Sequence, residues 1–241
     1  MSISPGGAAL CLCYILTAGC PSQRKGDKNI NYSASVEEPL QALISWITSQ
    51  LQSSAPKTLS LVTATLVMLV NCVEARIMFA TSGGIGYLIR HVRATNMQPK
   101  SKRQGTVSIQ QLYELCFCLW TLTYECNTHA LVRTSFARDS AIQSLVDIVT
   151  SAPREKVVRV TLSSLRNLAI CTVEKNDSDS ETKIIDGSTF LYEMIGAGLM
   201  KQVDLLLERQ WTDPDIVEGM YPKCFKWKSR EKGKNCNVNF V

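Results

Sequence analysis

The residues best placed to do chemistry in this sequence are cationic. Arg159, Ser163 and Arg166 recur at i, i+4 and i+7, so a helix carries them on one face. Asn167 lies beside them, with Arg154 and Lys156 near the start of the same segment. Cations at a helix N-terminus oppose the macrodipole and do not help the helix itself. Two readings stand: a basic ridge that meets an acidic partner surface, or a solvated face balanced by Glu155 and neighbouring loops. Asn167 has a further alternative, a buried amide that ties adjacent backbones together.

Support for other chemistry is thin. The two histidines, His91 and His129, fall in segments that read as surface, and neither has a nucleophile partner at useful spacing. No catalytic, metal or cofactor-binding residue is assigned. Gly83-Gly84-Ile85-Gly86 lacks the third spaced glycine and the preceding strand of a phosphate loop, so it reads as a small-residue helix start. Cys224 and Cys236 have no CxxC partner and no nearby histidine, which argues against zinc. The ten cysteines fall mostly within or beside apolar segments and read as reduced core residues, which implies the cytosol.

Composition narrows the class. Across 241 residues, 45% are hydrophobic and 20% charged, which excludes wholesale disorder, a collagen-like fibre and a multi-span membrane protein. The net charge of +5 resides in residues 221–241, where Lys223, Lys226, Lys228, Arg230, Lys232 and Lys234 face the single acid Glu231. Residues 1–220 are formally neutral, so no nucleic-acid partner is implied. The tail itself reads as disordered. The apolar run Ala8–Ala18 lacks the basic n-region of a signal peptide and reads as a core helix. An exported, lipid-anchored enzyme, suggested only by that run and Leu16–Cys20, is the weakest reading. The 16 uncharged residues between Lys57 and Glu74 fall short of the roughly 20 that span a bilayer.

The elements that must position the ridge are helices. Leu40, Leu43, Ile44, Ile47 and Leu51 sit at helical spacing with Trp46 beside them, and Ser35 to Glu38 offers a capping box. Ile85, Leu88, Ile89 and Val92 follow the i, i+3, i+4, i+7 pattern, as do Ile142, Leu145, Val146 and Val149. Leu199, Val203 and Leu206 repeat it, with Gln202 in the missing slot. Ile85, Ile142 and Leu199 are each 57 residues apart, and small residues precede each one. A longer apolar helix precedes each segment, at about 58–79, 108–124 and 155–174. Polar connectors cover 20–36, 95–106 and 175–187. No strand pattern of useful length appears. A fixed interval of this size predicts stacked helical hairpins, an all-α armadillo/HEAT-like helical-repeat solenoid. Trp46 and Trp120 read as core. Leu162→Asp or Leu165→Asp should unfold the local repeat.

The stretch QLYELCFCLWTLTY at 111–124, with PREKVVRV at 153–160 and LRNL at 165–168, resembles the H subunit of the vacuolar-type proton ATPase. LISW at 43–46, GLMKQV at 198–203 and WTDPDI at 211–216 are similar to the same family. The resemblance covers about residues 36–220. It implies an armadillo/HEAT-like solenoid and a non-catalytic regulatory subunit of the V1 sector, on the cytosolic face of vacuolar or other endomembranes. It implies partners among the other V1 subunits, especially the peripheral stalk, with the membrane touched only through the pump. The expected organisation is a partial repeat helix and connector at 1–35, the repeat domain at 36–220 and the tail at 221–241. A generic armadillo-type peptide-binding adaptor is the alternative; its groove ladder is thin, with Asn71 and Asn167 as the two candidates.

Overall fold

A computed structural model describes residues 7–9, 11–13, 34–53, 56–97, 106–138, 140–151, 154–172 and 185–209. The tail 221–241, the Leu16–Cys20 box and the middles of the three polar connectors lie outside these residues. Residues 7–9 and 11–13 are helical, and Cys13 is buried with its Sγ 3.4 Å from Thr65 O. Ten further helices follow in order among the described residues: α1 Ala34–Gln52, α2 Pro56–Leu69, α3 Val73–Thr81, α4 Gly84–Asn96, α5 Thr106–Thr123, α6 Ala130–Ala137, α7 Ala141–Ser151, α8 Glu155–Ala169, α9 Gly187–Gly196 and α10 Leu199–Leu207. A 3-10 turn, Tyr124–Cys126, closes α5. No strand occurs among the described residues.

The helices stack in three series. The long helices α2, α5 and α8 pack side by side. The amphipathic helices α1, α4, α7 and α10 do the same, and the short helices α3 and α6 pack against each other. One core runs between the series and includes Phe79, Phe136, Ile44, Leu66, Leu88, Leu119, Leu145 and Phe190. Burying each such side chain stabilises the fold by about 1.5–3 kcal/mol. Leu162 and Leu165 lie in it as well, at 4% and 3% exposure. Stacking without a closing sheet is the helical-repeat solenoid.

The repeating unit is a triplet, not the expected hairpin. The short helices start at Val73, Ala130 and Gly187, each 57 residues apart. The residue before an amphipathic helix has positive φ three times over: Gly83 at 80°, Ser140 at 51° and Gly198 at 82°. This left-handed residue turns the chain sharply from the short helix into the amphipathic one, and glycine adopts it without strain. Gly84 is also required by packing, because a Cβ there would collide with the Phe79 ring. Gly83-Gly84 is thus a close helix start, as its small residues suggest.

Several boundaries differ from expectation. The single helix expected at 58–79 is two, α2 and α3, broken at Val70–Cys72. Cys72 takes an extended conformation there, and Asn71 Nδ2 bonds back to Met68 O at 3.1 Å to close α2. The helix expected through 174 ends at Ala169, where Cys171 O instead accepts Gly187 N at 2.8 Å. The periodicity does not reveal α6 and α9, because two turns are too short to show one. α4 runs to Asn96 and α1 starts at Ala34, so the connectors are shorter than expected. Ser35 thus falls inside α1, and its side chain lies outside the described residues.

Candidate interaction surface

α8 divides its circumference between core and exterior. Val157, Val158, Val160, Thr161, Leu162, Ser164, Leu165 and Leu168 are buried. The hydroxyls of Thr161 and Ser164 donate to Val157 O and Val160 O at 2.8 Å each, so neither is buried unsatisfied. On the other side, Arg166 is exposed while Arg159 and Ser163 are half-buried. Exposed Lys156 precedes them and Ile170, 47% exposed, follows. The helix thus brings Arg159, Ser163 and Arg166 into one stripe.

Asn167 is half-buried and turns toward α5. Its Nδ2 donates to Thr123 Oγ1 at 2.9 Å, and Thr123 in turn donates to Trp120 O at 2.6 Å. The amide does tie neighbouring helices, but through a side chain rather than a backbone. At the other end of the pair, Lys156 Nζ donates to Gln110 Oε1 at 2.7 Å and lies 4.5 Å from the Tyr113 ring centroid. These two contacts fix α5 and α8 side by side and parallel.

The face of α5 that lies beside this stripe is not evident from the apolar periodicity alone. Tyr113, Phe117, Trp120 and Tyr124 form a continuous ring series, with centroids 6.2, 5.7 and 5.7 Å apart. Tyr124 is 51% exposed. The other three are half-buried and rest on the core with one side. Trp120, expected in the core, is therefore shared between core and surface, as Trp46 is. The signal was present in the sequence as a second seam at 4-3-4 spacing, on the side away from Leu112, Leu115, Leu119 and Leu122. Glu114 sits next to it, held by Gln110 Nε2 at 2.9 Å and Thr63 Oγ1 at 3.3 Å.

The other titratable groups are absorbed by structure. His91 corrects its expected surface position: it is buried, with Nε2 2.7 Å from Leu51 O, bonding α4 to the end of α1. His129 is the residue before α6 and accepts Arg133 N through its backbone carbonyl at 3.2 Å. All seven described cysteines are thiols rather than disulfides, and all but Cys11 are buried. Burial pushes the Cys116 thiol up to about 12 and that of Cys13 to about 11. Cys118 and Cys126 move in the same direction, also through burial first. Thiols held this far from ionisation are packing groups, not nucleophiles. Among the described residues no cluster of three His, Cys, Asp or Glu side chains could hold a metal ion. No described helix is long and apolar enough to cross a membrane.

The family model for the V-ATPase H subunit matches residues 10–221. The chain belongs to the V-ATPase H subunit family. Among curated relatives, it is 30% identical over 189 residues to a probable V-type proton ATPase H subunit of Oryza sativa subsp. japonica, covering 77% of this chain and 35% of that one. It is 29% identical over 178 residues to a V-type proton ATPase H subunit of Drosophila melanogaster, covering 74% and 33%. A third, from Dictyostelium discoideum, is 25% identical over 209 residues, covering 87% and 38%. The chain thus spans about a third of the length of these relatives. The family match encloses all of α1 to α10, and with them both the aromatic seam and the basic stripe.

Proposed function

We propose that this chain is a non-catalytic regulatory and scaffold component of the V1 sector of a vacuolar-type proton-translocating ATPase. It acts through protein contacts that support coupled ATP hydrolysis and proton transport. Its partners are other V1 subunits, the peripheral-stalk subunits above all, and it resides on the cytosolic face of vacuolar or other endomembranes. The observation that carries this reading is the family match across residues 10–221. The solenoid suits the role, because stacked helices expose a long lateral surface while each repeat needs only its neighbours for stability. The repeat domain is taken as 36–220, with 1–35 before it and 221–241 as a tail. Arg159, Ser163, Arg166 and Asn167 supply the partner-facing ridge, and the Asn167 bond to Thr123 also holds its helix in place.

Co-purification of the tagged full chain with V1 subunits tests the proposal. Stalk subunits are expected in the eluate. Their clean absence, with circular dichroism showing the bait helical and folded, would overturn it.

A further inference from the structure

We infer that the aromatic seam of α5 and the basic stripe of α8 together form one trough that receives an amphipathic partner helix with an acidic flank. This deepens the reading of a V1 scaffold and rests on it only for the partner's origin. Tyr113, Phe117, Trp120 and Tyr124 stand at intervals of four, three and four, and Lys156, Arg159, Ser163, Arg166 and Ile170 at three, four, three and four. Each interval set is the seam spacing of a helix that packs lengthwise on another helix. The contacts Lys156–Tyr113 and Asn167–Thr123 set the two seams parallel and in register. Two parallel seams of one period offer a third helix a continuous line of holes. An extended strand, with its period of two, matches neither.

Charge selects the kind of helix. Lys156 and Arg166 are exposed at the two ends of the stripe, about 15 Å apart along α8. Arg159 lies between them; Glu155 and Glu114 carry the opposing charge, and Glu114 keeps its own because Gln110 and Thr63 are neutral donors, which leaves three cations against two carboxylates. The outward balance of the trough is therefore cationic, over a floor of aromatic rings. Aromatic rings rimmed by cations are the composition of a protein interface, and Tyr, Trp and Arg are its usual strong contributors. The fitting partner places leucine-type residues on the rings and carboxylates about three turns apart toward Lys156 and Arg166.

The test uses the full chain and two synthetic helical peptides of about 18 residues, the length that covers the seam. Both carry leucine at alternating three- and four-residue spacing; one has glutamate on the flank and its twin has lysine. Fluorescence anisotropy is expected to show the glutamate peptide binding at least tenfold more tightly than its twin. Tyr124→Ser and Trp120→Ala should each weaken that binding about tenfold, and Arg166→Glu should reverse the preference between peptides. Tyr124→Ser lies at an exposed position, so it reports even if Trp120→Ala perturbs folding. Equal binding of the two peptides, no binding of either, or indifference to Tyr124→Ser and Arg166→Glu would overturn the trough. Co-purification with V1 subunits, scored on the same variants, separates the two proposals. Co-purification without selective peptide binding removes the trough and leaves the scaffold role; selective peptide binding without co-purification does the reverse.

Discussion

Arg76 and Arg133 perform the same task in successive repeats. Each is the fourth residue of its short helix, 57 positions from the other. Arg76 Nη1 donates to Val70 O at 2.8 Å, and Arg133 Nη1 donates to Cys126 O at 2.7 Å and Asn127 O at 3.3 Å. In both cases the guanidinium closes the turn after a long helix, where carbonyls lack partners and the macrodipole favours a cation. Phe190 takes the corresponding place in α9 and is fully buried.

Arg76 also joins the end of α5. Its Nη2 lies 2.6 Å and its Nε 2.7 Å from Glu125 Oε1, with side-chain exposures of 14% for Arg76 and 9% for Glu125. Removing one partner strands a buried charge. Arg76→Ala and Glu125→Ala should each destabilise by about 3–5 kcal/mol. The double variant should be less destabilised than the sum of the singles. Urea unfolding of the four proteins of that cycle measures the coupling; strict additivity would show that the pair does not act as a unit.

Gly84→Ala should destabilise by about 1–3 kcal/mol, because the added methyl meets the face of Phe79. Phe79→Leu in the same chain should recover part of the loss, since the obstructing ring is gone. Thermal unfolding of both single variants and the combination reads this directly. Gly196, which has open space around its missing Cβ, should tolerate alanine far better.

Asp186 caps α9. Its Oδ1 accepts Thr189 N at 3.0 Å and Ser188 Oγ at 2.7 Å. Partial burial works to raise this carboxyl, but the hydrogen bonds from Ser188 and Thr189 outweigh it and hold it below the usual range. A depressed folded value means stability that is present above the unfolded value near 3.9 and lost as pH falls through the folded one. Asp186→Ala should therefore cost about 1 kcal/mol at neutral pH. That difference from the native chain should shrink progressively below about pH 4. A pH series of chemical denaturation curves tests it; a constant difference down to pH 2 would show that the ionised carboxylate is not what matters.

Cys116 and Cys118 should resist alkylation in the folded protein at pH 8 and react once denatured. Both are fully buried, and burial keeps them protonated well above that pH. Cys11, which is exposed, should label first among the described cysteines. Site-resolved mass spectrometry distinguishes the three positions.

The amphipathic helices α4 and α7 were legible from sequence because their four apolar positions recur at the helical period and one face alone is buried. The 57-residue interval was legible for the same reason, and Ile85, Ile142 and Leu199 are all buried where it places them. The long helix α8 was recognised, and its stripe of Arg159, Ser163 and Arg166 follows from one helix's geometry alone. What remained hidden depends on neighbours. α3, α6 and α9 have at most ten residues each, too few to establish a period, and tertiary packing selects them. The break at Val70–Cys72 is held by Arg76 and Asn71, whose targets are defined only once the chain has turned.

His91 shows the same division. Its position in the sequence says nothing of Leu51, forty residues earlier, yet that carbonyl at 2.7 Å makes a polar ring acceptable in the core. The sequence by itself determined the 57-residue period, the helical class and the family, because these are carried by residue types and their spacing along the chain. Tertiary structure alone decided that the face of α5 bearing Tyr113 and Trp120 lies beside the cationic face of α8. A stripe on one helix is a local property, but which stripes become neighbours depends on how two helices pack across more than forty residues of intervening chain.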